Sequence, residues 1–378
     1  MLSKFVEELP EHYISKIMKE INNIENCINL GQGNPDMKTP SFITNHMSRT
    51  IESGVYSGYP SFTGSEALKL ELINLYKSKF NVHLDMDEVV IVPGGKTALS
   101  MIATTILNYH DRVIIPDPYY PDILPVLNSL KVSIDFLPLK KENFFLPRYS
   151  DLPIEIYESA RMIYLNYPNN PTGAVANDYV FEEIISLALK NNFYILHDFA
   201  YGEIGFDEIT PRSFLSYNSS KNVGVELYTF SKSYNMAGMR IAAVVGNKEI
   251  ISGIEKILCN FYTGVYGAIQ EAAIIGIQEG EEYKKKIAKC YEERRNIFLD
   301  NFCNKEVLAP KSTFYCWIEI PKNFTDSYQF FRHLLYEKKI GVFPGGGFGS
   351  QGERYVRISL LDTKENLRLA AKLIGECY

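Results

Sequence analysis

Residues 231–240 read Ser231-Lys232-Ser233-Tyr234-Asn235-Met236-Ala237-Gly238-Met239-Arg240. The preceding residues 225–230 have strand-like composition, which places Lys232 at the mouth of a sheet, where α/β folds bind their ligands. A lysine amine can condense with an aldehyde, while Thr229, Ser231 and Arg240 supply two hydroxyls and a planar cation that suit a phosphate. The stretch therefore predicts an anchor for one small molecule that carries both an aldehyde and a phosphate. The alternative is a surface lysine and an arginine engaged in an ion pair.

The surrounding sequence alternates between apolar, β-rich runs and helical patterns from about residue 60 to 250. Predicted helices cover residues 66–80, 97–109 and 179–191, and predicted strands cover residues 88–92, 112–115, 161–166 and 193–197. Such alternation is typical of a largely parallel sheet with helices on both faces. The charge density rises after Gly280, so we predict a large domain of residues 46–280 and a small domain of residues 1–45 plus 281–378.

The composition is that of a globular protein, with 378 residues of which 46% are hydrophobic. The formal net charge of −6 and the lack of a long basic run argue against nucleic acid as a partner. The six cysteines are scattered and have no histidine at zinc-ligand spacing, so no metal site is predicted. No apolar run approaches the ~20 residues of a membrane span, and we expect a cytoplasmic protein without a membrane partner.

Two glycine-rich segments match parts of nucleotide-binding motifs but do not meet their requirements. Gly94-Gly95-Lys96-Thr97 would need a further glycine where Val90 stands to form a P-loop. Residues 347–352 match a dinucleotide-binding pattern, yet they lead into strand-like residues 354–360 rather than into a helix. We therefore predict a flexible loop at residues 347–352.

Residues 231–240 resemble the lysine motif of the class I and II aminotransferases, which are fold type I pyridoxal-phosphate enzymes. Further family motifs occur in the expected order along nearly the whole chain, from Gly33-x-Pro35-Asp36 to Arg357. The resemblance implies an α/β fold, with a mostly parallel seven-stranded sheet in the large domain and a smaller α+β domain. It also implies pyridoxal 5′-phosphate as the cofactor and a homodimer with shared active sites.

Residues that follow predicted strands supply candidate contacts to the cofactor ring. Asp198 ends the strand at residues 193–197, and the ring needs a carboxylate that keeps its nitrogen protonated. The resemblance implies that Tyr201 and Asn170 share the 3-oxygen of the ring, and that Tyr120 stacks on its face. Lys232, Asp198 and Tyr201 are the predicted catalytic residues.

The cofactor phosphate has a second set of predicted contacts. Gly94, Gly95 and Lys96 lie between a strand and a helix, so their backbone N–H groups and the positive helix end can face an anion. The other predicted phosphate contacts are Thr229, Ser231 and Arg240. The resemblance adds Tyr59, which would reach the phosphate of the neighbouring subunit.

The α-carboxylate of an amino-acid substrate calls for a planar, two-pronged cation. Arg357 lies on strand-like residues 354–360, between Val356 and Ile358. The resemblance makes the substrate its partner, in preference to a structural salt bridge. Asn170 and the backbone of Gly33 are the other predicted substrate contacts.

The resemblance implies an aminotransferase with ping-pong kinetics that acts on an L-amino acid and a 2-oxo acid, with Lys232 as the proton carrier. Its motifs look most like those of LL-diaminopimelate and aspartate-type aminotransferases, although Met239 stands where that branch usually has tryptophan. The alternative is a pyridoxal-phosphate-dependent carbon–sulfur β-lyase, because both kinds of enzyme form a carbanion at the α-carbon of the substrate. A cofactor-sensing transcription regulator would need a DNA-binding domain, for which the first 45 residues lack length and basic character.

Overall fold

The computed structural model describes residues 2–7, 9, 11–303 and 306–378. The strands are β1 (Ile28–Asn29), β2 (Val89–Val92), β3 (Arg112–Asp117), β4 (Ser133–Pro138), β5 (Ala160–Asn166), β6 (Tyr194–Asp198), β7 (Gly224–Thr229), β8 (Ala242–Gly246), β9 (Tyr315–Glu319), β10 (Ile340–Gly341), β11 (Phe343–Pro344) and β12 (Tyr355–Ser359). The helices are α1 (Lys4–Glu7), α2 (Tyr13–Asn22), α3 (Ser41–Glu52), α4 (Glu66–Phe80), α5 (Gly95–Ile106), α6 (Leu124–Ser129), α7 (Ile154–Ser159), α8 (Asp178–Asn191), α9 (Ser220–Val223), α10 (Phe230–Ser233), α11 (Lys248–Phe261), α12 (Gly267–Glu279), α13 (Glu281–Asn301), α14 (Ser327–Glu337) and α15 (Lys364–Gly375).

Strands β2 to β8 form one seven-stranded sheet in the order β2-β8-β7-β6-β5-β3-β4. The neighbours from β7 to β4 pair in parallel, whereas β8 is antiparallel to both β7 and β2. The predicted α/β fold with a mostly parallel seven-stranded sheet is confirmed. Because β8 alone is reversed, every other strand of this sheet has its carboxyl end at the same edge.

The predicted elements occur with shifts at their ends. The strand predicted at residues 193–197 is Tyr194–Asp198, so Asp198 is its last residue rather than the residue after it. The helix predicted at residues 97–109 begins earlier, at Gly95, and ends at Ile106. It begins earlier because Gly94, with φ of +92°, lets the chain turn almost directly from β2 into α5.

Each face of the large sheet has its own hydrophobic core. Side chains alternate along a strand, so Ile195 packs into one core and its neighbour Leu196 into the other. Helices α4 and α8 cover the first face, and α5 and α11 cover the second. Strand β2 is buried on both faces, and all of its residues are apolar.

A smaller three-stranded sheet, in the order β11-β12-β9, has a separate core that includes residues of α13, α14 and α15. Strand β1 pairs in parallel with β10, and Ile17, Ile21 and Leu30 join this smaller core. Helix α3 instead packs on α12 and places Ile43 in a core of the large sheet. The predicted division at residues 45/46 therefore falls inside α3, and the two-domain division stays a prediction.

The segment between β11 and β12, residues 345–352, contains the glycine-rich sequence predicted as a flexible loop. It forms two consecutive 3₁₀ turns, Gly345–Phe348 and Ser350–Gly352, and then enters β12. Phe348 is completely buried, so the segment is packed against the rest of the protein.

Among the described residues, no helix combines the length and apolarity needed to cross a membrane. The same residues contain no group of histidine, cysteine and acidic side chains with metal-binding geometry.

Candidate active site

A cavity of about 360 Å³ opens at the edge of the large sheet where β5, β6 and β7 end. The last residues of these strands, Asn166, Asp198 and Thr229, all line it. Its volume lies within the ~300–1,000 Å³ range of small-molecule sites. The residues predicted from the sequence that line this cavity are Gly33, Gly95, Lys96, Tyr120, Asn170, Asp198, Tyr201, Thr229, Ser231, Lys232, Arg240 and Arg357.

Lys232 lies in the short helix α10, directly after β7. Its Nζ donates a hydrogen bond to the backbone carbonyl of Gly33 at 3.0 Å. Burial lowers the pKa of Lys232 to about 8, and the positive charges of Arg357 and Arg240 act in the same direction. A larger fraction of this amine is therefore uncharged near neutral pH than for a lysine in water. The uncharged form is the one that reacts with aldehydes and accepts protons.

Asp198 is a buried carboxylate whose hydrogen-bond donors are uncharged. Its Oδ1 accepts a hydrogen bond from the Ala200 N–H at 3.1 Å, and its Oδ2 accepts one from the Tyr164 hydroxyl at 3.2 Å. Burial raises the pKa of Asp198 to about 6, against the opposing effect of the Ala200 hydrogen bond. A cation placed against this carboxylate would reverse the effect of burial, so the site favours a positively charged ligand atom.

Arg357 lies on β12 and is buried in the cavity wall. Its guanidinium donates hydrogen bonds to Asn170 Oδ1 and to the Gly31 carbonyl, both at 3.1 Å, while its Nε has no hydrogen-bond partner. Within the described ranges no carboxylate forms an ion pair with Arg357. Its Cζ lies 4.1 Å from the ring centre of Tyr315, which supports the planar face of the cation. A buried cation without an acidic partner is suited to a carboxylate ligand.

The start of α5 has features that suit an anion. Gly94 has no side chain to cap this helix, which leaves the N–H groups of its first turn available. A β-carbon at Gly94 would lie 2.5 Å from Arg240 Nη2, so only glycine lets the guanidinium approach this backbone. The hydroxyls of Thr229 and Ser231 are 3.0 Å apart and line the same cavity.

Lys96, predicted mainly as a backbone contact, also directs its side chain toward Asp122. Its Nζ lies 3.1 Å from Asp122 Oδ1, and His12 Nε2 lies 3.3 Å from the same oxygen. The Tyr120 hydroxyl donates a hydrogen bond to Asp122 Oδ2 at 3.0 Å. Asp122 and His12 were not predicted from the sequence. Only the closeness of Asp122 to Tyr120 in sequence could have indicated the first of them.

Three tyrosines differ from the predicted site in their position or were not part of it. Tyr59 does not line the cavity, and its side chain is 93% exposed. Tyr315 and Tyr164 contact predicted site residues but were not identified from the sequence. Nothing in the spacing of Tyr315 from Arg357 indicates their stacking, which depends on the antiparallel pairing of β9 with β12.

Comparisons with known proteins cover almost the whole chain. Residues 25–373 match the family model described as aminotransferase class I and II. The chain is 38% identical to an L-glutamine–4-(methylsulfanyl)-2-oxobutanoate aminotransferase of Bacillus subtilis, over 99% of this chain and 96% of the relative. It is 36% identical to an LL-diaminopimelate aminotransferase of Natranaerobius thermophilus, over 96% and 94% of the two chains. The solved structure of substrate-bound BacF from Bacillus subtilis is similar with a TM-score of 0.94 at 35% identity, over 99% and 97% of the two chains.

Proposed function

Because this chain belongs to the class I and II aminotransferases, it moves an amino group between an amino acid and a 2-oxo acid, and we propose that it does so with pyridoxal 5′-phosphate bound at Lys232. This cofactor is the one that the family uses. The observation that carries the proposal is one cavity lined by a lysine of lowered pKa, a buried carboxylate of raised pKa and the guanidinium of Arg240.

The residues of the cavity fit the chemical groups of this cofactor. The start of α5, Arg240 and the hydroxyls of Thr229 and Ser231 would bind the phosphate. Asp198 would hold a proton on the ring nitrogen. The remaining contacts proposed are Tyr201 and Asn170 at the 3-oxygen and Tyr120 at the ring face. When bound, pyridoxal phosphate supplies an electron-withdrawing ring that stabilises negative charge on the substrate's α-carbon.

Lys232 is the proposed acid–base group of the reaction. Its lowered pKa lets the amine accept the proton from the substrate's α-carbon near neutral pH and donate it again in the next step. A group whose pKa lies near the working pH is effective in both directions. Ping-pong kinetics need this reversibility, because the second half-reaction runs the steps of the first in reverse.

The substrate would be held by its α-carboxylate, which Arg357 can bind through a two-pronged contact. Asn170, which already accepts a hydrogen bond from Arg357, fixes the orientation of the guanidinium. The same cavity contains the charged pair Lys96–Asp122. We therefore propose an amino donor with a polar or charged side chain, such as glutamine, aspartate or LL-diaminopimelate.

A donor screen tests this function. The purified protein loaded with pyridoxal phosphate is expected to change its absorbance when one amino acid is added alone, and to recover when a 2-oxo acid follows. Initial rates should give the parallel double-reciprocal lines of a ping-pong mechanism, with glutamine, aspartate and LL-diaminopimelate as donors and 2-oxoglutarate, pyruvate or 4-(methylsulfanyl)-2-oxobutanoate as acceptors. Release of pyruvate and sulfide from cystathionine without any transamination would instead identify a β-lyase.

We also propose a homodimer in which Tyr59 reaches the phosphate site of the partner. Tyr59 belongs to residues 58–64, which contact residues 261–267. The contact is close, because a β-carbon at Gly264 would overlap the Ser61 carbonyl oxygen. Together these segments expose a group of large apolar side chains: Tyr59, Phe62, Phe261, Tyr262 and Tyr266. Exposed apolar side chains that cluster in this way are typical of interfaces between subunits.

Tyr59→Ala is expected to weaken pyridoxal phosphate binding about tenfold, because one hydrogen bond to a charged group is lost. Complementation checks that the tyrosine acts across the interface. A Tyr59→Ala chain mixed with a Lys232→Ala chain forms hybrids in which the intact Lys232 site receives Tyr59 from its partner. The mixture should therefore recover wild-type cofactor affinity at that site. A mixture that binds the cofactor no better than Tyr59→Ala alone would contradict a shared site.

A further inference from the structure

We propose that Asp117 is a positioning residue that holds residues 345–352 over Arg357 and thereby sets the affinity for the substrate's carboxylate. The proposal rests on the function proposed above, in which Arg357 binds that carboxylate. Asp117 does not line the cavity, so its effect would be transmitted through the loop that it binds.

Asp117 is the last residue of β3 and is almost completely buried. Its Oδ2 accepts hydrogen bonds from the Ser350 N–H at 2.9 Å and from the Ser350 hydroxyl at 2.8 Å. Its Oδ1 accepts a third, from the Gln351 N–H at 3.2 Å. Asp117 is in no ion pair with any described residue. All of these donors belong to the glycine-rich segment between β11 and β12 of the smaller sheet. The carboxylate of Asp117 therefore joins that segment to the large sheet.

The segment is shaped to fit this carboxylate. Gly349 has φ of +118°, a conformation that favours glycine, and a β-carbon there would overlap Asp117 Oδ1. One residue earlier, the Phe348 carbonyl accepts a hydrogen bond from the Tyr119 N–H at 2.8 Å. The end of β3 and the residues after it therefore fix both sides of Gly349.

Fixing Gly349 fixes Phe348, which covers Arg357. The Phe348 ring centre lies 4.9 Å from Arg357 Cζ, and that of Phe343 lies 5.1 Å from it. The two rings contact each other edge to face, with centres 5.1 Å apart. Aromatic rings at this distance keep water away from the guanidinium, which strengthens its attraction for a carboxylate. Release of the loop would let water reach Arg357 and weaken that attraction.

Asp117→Asn tests the proposal with little change in shape. Asparagine replaces one of the two carboxylate oxygens by an NH2 group, which then faces the donors of either Ser350 or Gln351. The loop therefore loses the hydrogen bonds accepted by that oxygen. The KM values for the amino donor and for the 2-oxo acid are both expected to rise about tenfold, because both substrates carry the same carboxylate. kcat is expected to stay within about twofold of wild type, since the residues at the reacting atoms are untouched.

The fluorescence of Trp317 reports on the position of the loop without any turnover of substrate. Trp317 is the only tryptophan of the chain, it is buried, and its ring centre lies 5.7 Å from that of Phe348. In Asp117→Asn, acrylamide should quench its fluorescence more strongly than in wild type, with or without the cofactor. Calorimetric titration of the cofactor-free protein with 2-oxoglutarate should show the same loss of affinity as the KM values.

Two further variants serve as controls. Asp135→Asn alters a carboxylate on the neighbouring strand β4, paired with Arg112 at 3.3 Å, and should change neither KM nor quenching. Ser350→Ala removes one of the three donors and should raise both KM values about threefold. It also serves if Asp117→Asn does not fold.

The outcomes separate this inference from the proposed function. If wild type shows no transamination, the function is wrong, while quenching and 2-oxoglutarate binding still test the role of Asp117. If wild type is active but Asp117→Asn and Ser350→Ala keep wild-type KM values and quenching, the positioning role is overturned. A loss of kcat at unchanged KM would overturn it as well.

Discussion

Replacement of Lys232 by alanine is expected to lower kcat for transamination by about 10⁴-fold, the upper end of what a positioned acid–base group contributes. One amine would serve both as the attachment point of the cofactor and as the proton carrier, so a single substitution removes both functions. Steady-state rates with the donor and acceptor found in the screen measure the loss. Borohydride treatment after incubation with pyridoxal phosphate, followed by peptide mapping, should label Lys232 in wild type and no lysine in the variant.

Lys96→Ala is the matched control for this experiment. It removes a second lysine of the same cavity, whose Nζ pairs with Asp122. This variant should keep the borohydride label on Lys232 and lose far less activity than Lys232→Ala. Full turnover by Lys232→Ala, or a label on Lys96 in wild type, would show that the anchor has been assigned to the wrong residue.

Asp198→Asn is expected to have the second largest effect, a loss of about 10²–10³-fold in kcat, as for other preorganised electrostatic contacts at a reacting group. The asparagine can still contact both neighbours, because its oxygen can accept from the Ala200 N–H and its amide can donate to the Tyr164 oxygen, which reverses the direction of the Tyr164 hydrogen bond. It carries no charge, so it would not hold a proton on the ring nitrogen.

The same substitution is expected to stabilise the cofactor-free protein at neutral pH. Burial raises the pKa of Asp198 from 3.8 to about 6, so between these values the folded protein keeps a proton that the unfolded chain releases. The contribution of Asp198 to stability is therefore complete below about pH 4 and is lost as the pH rises through 6. At pH 7 the free energy of unfolding of Asp198→Asn should exceed that of wild type by up to about 3 kcal/mol. Urea unfolding at pH 4 and pH 7 measures the difference, which should vanish at the lower pH.

Glu226→Gln is expected to lower the stability of the cofactor-free protein, in contrast to Asp198→Asn. Glu226 is fully buried on the neighbouring strand β7 and accepts hydrogen bonds from Tyr76, Ser213, Phe214 and His197. A glutamine cannot accept all four, so this variant should unfold at lower urea concentration than wild type. If both substitutions destabilised the cofactor-free protein equally at pH 7, the explanation from the raised pKa of Asp198 would fail.

The sequence predicted the parts of the site that follow from local patterns. Asp198, Thr229 and Asn170 come at or just after strands, and parallel strands bring their ends to one edge, so the sequence alone is enough to group these residues. The start of α5 was recognised in the same way from glycines between a strand and a helix. In each case the pattern and its position relative to a strand were sufficient.

Other parts depend on contacts between residues far apart in sequence. The stacking of Tyr315 on Arg357 comes from the register of β9 with β12, and the pairing of Asp122 with His12 brings the N-terminal segment to the cavity. Asp117 lies at the end of a strand, and nothing in the sequence around it indicates its role. Its contact with Ser350 spans 233 positions and has no local pattern to reveal it.

The reversed direction of β8 has a consequence for biosynthesis. Because β7 and β8 are antiparallel neighbours, one short connection carries both Lys232 and Arg240, and joining its ends costs little chain entropy. A ribosome makes the chain from its N-terminus, so every residue assigned to vitamin B6 phosphate, the last being Arg240, is synthesised well before Arg357. Apart from Tyr59, which the neighbouring subunit would supply, a growing polypeptide would therefore contain every residue proposed to bind the vitamin while it still lacks the arginine that would recognise an amino acid.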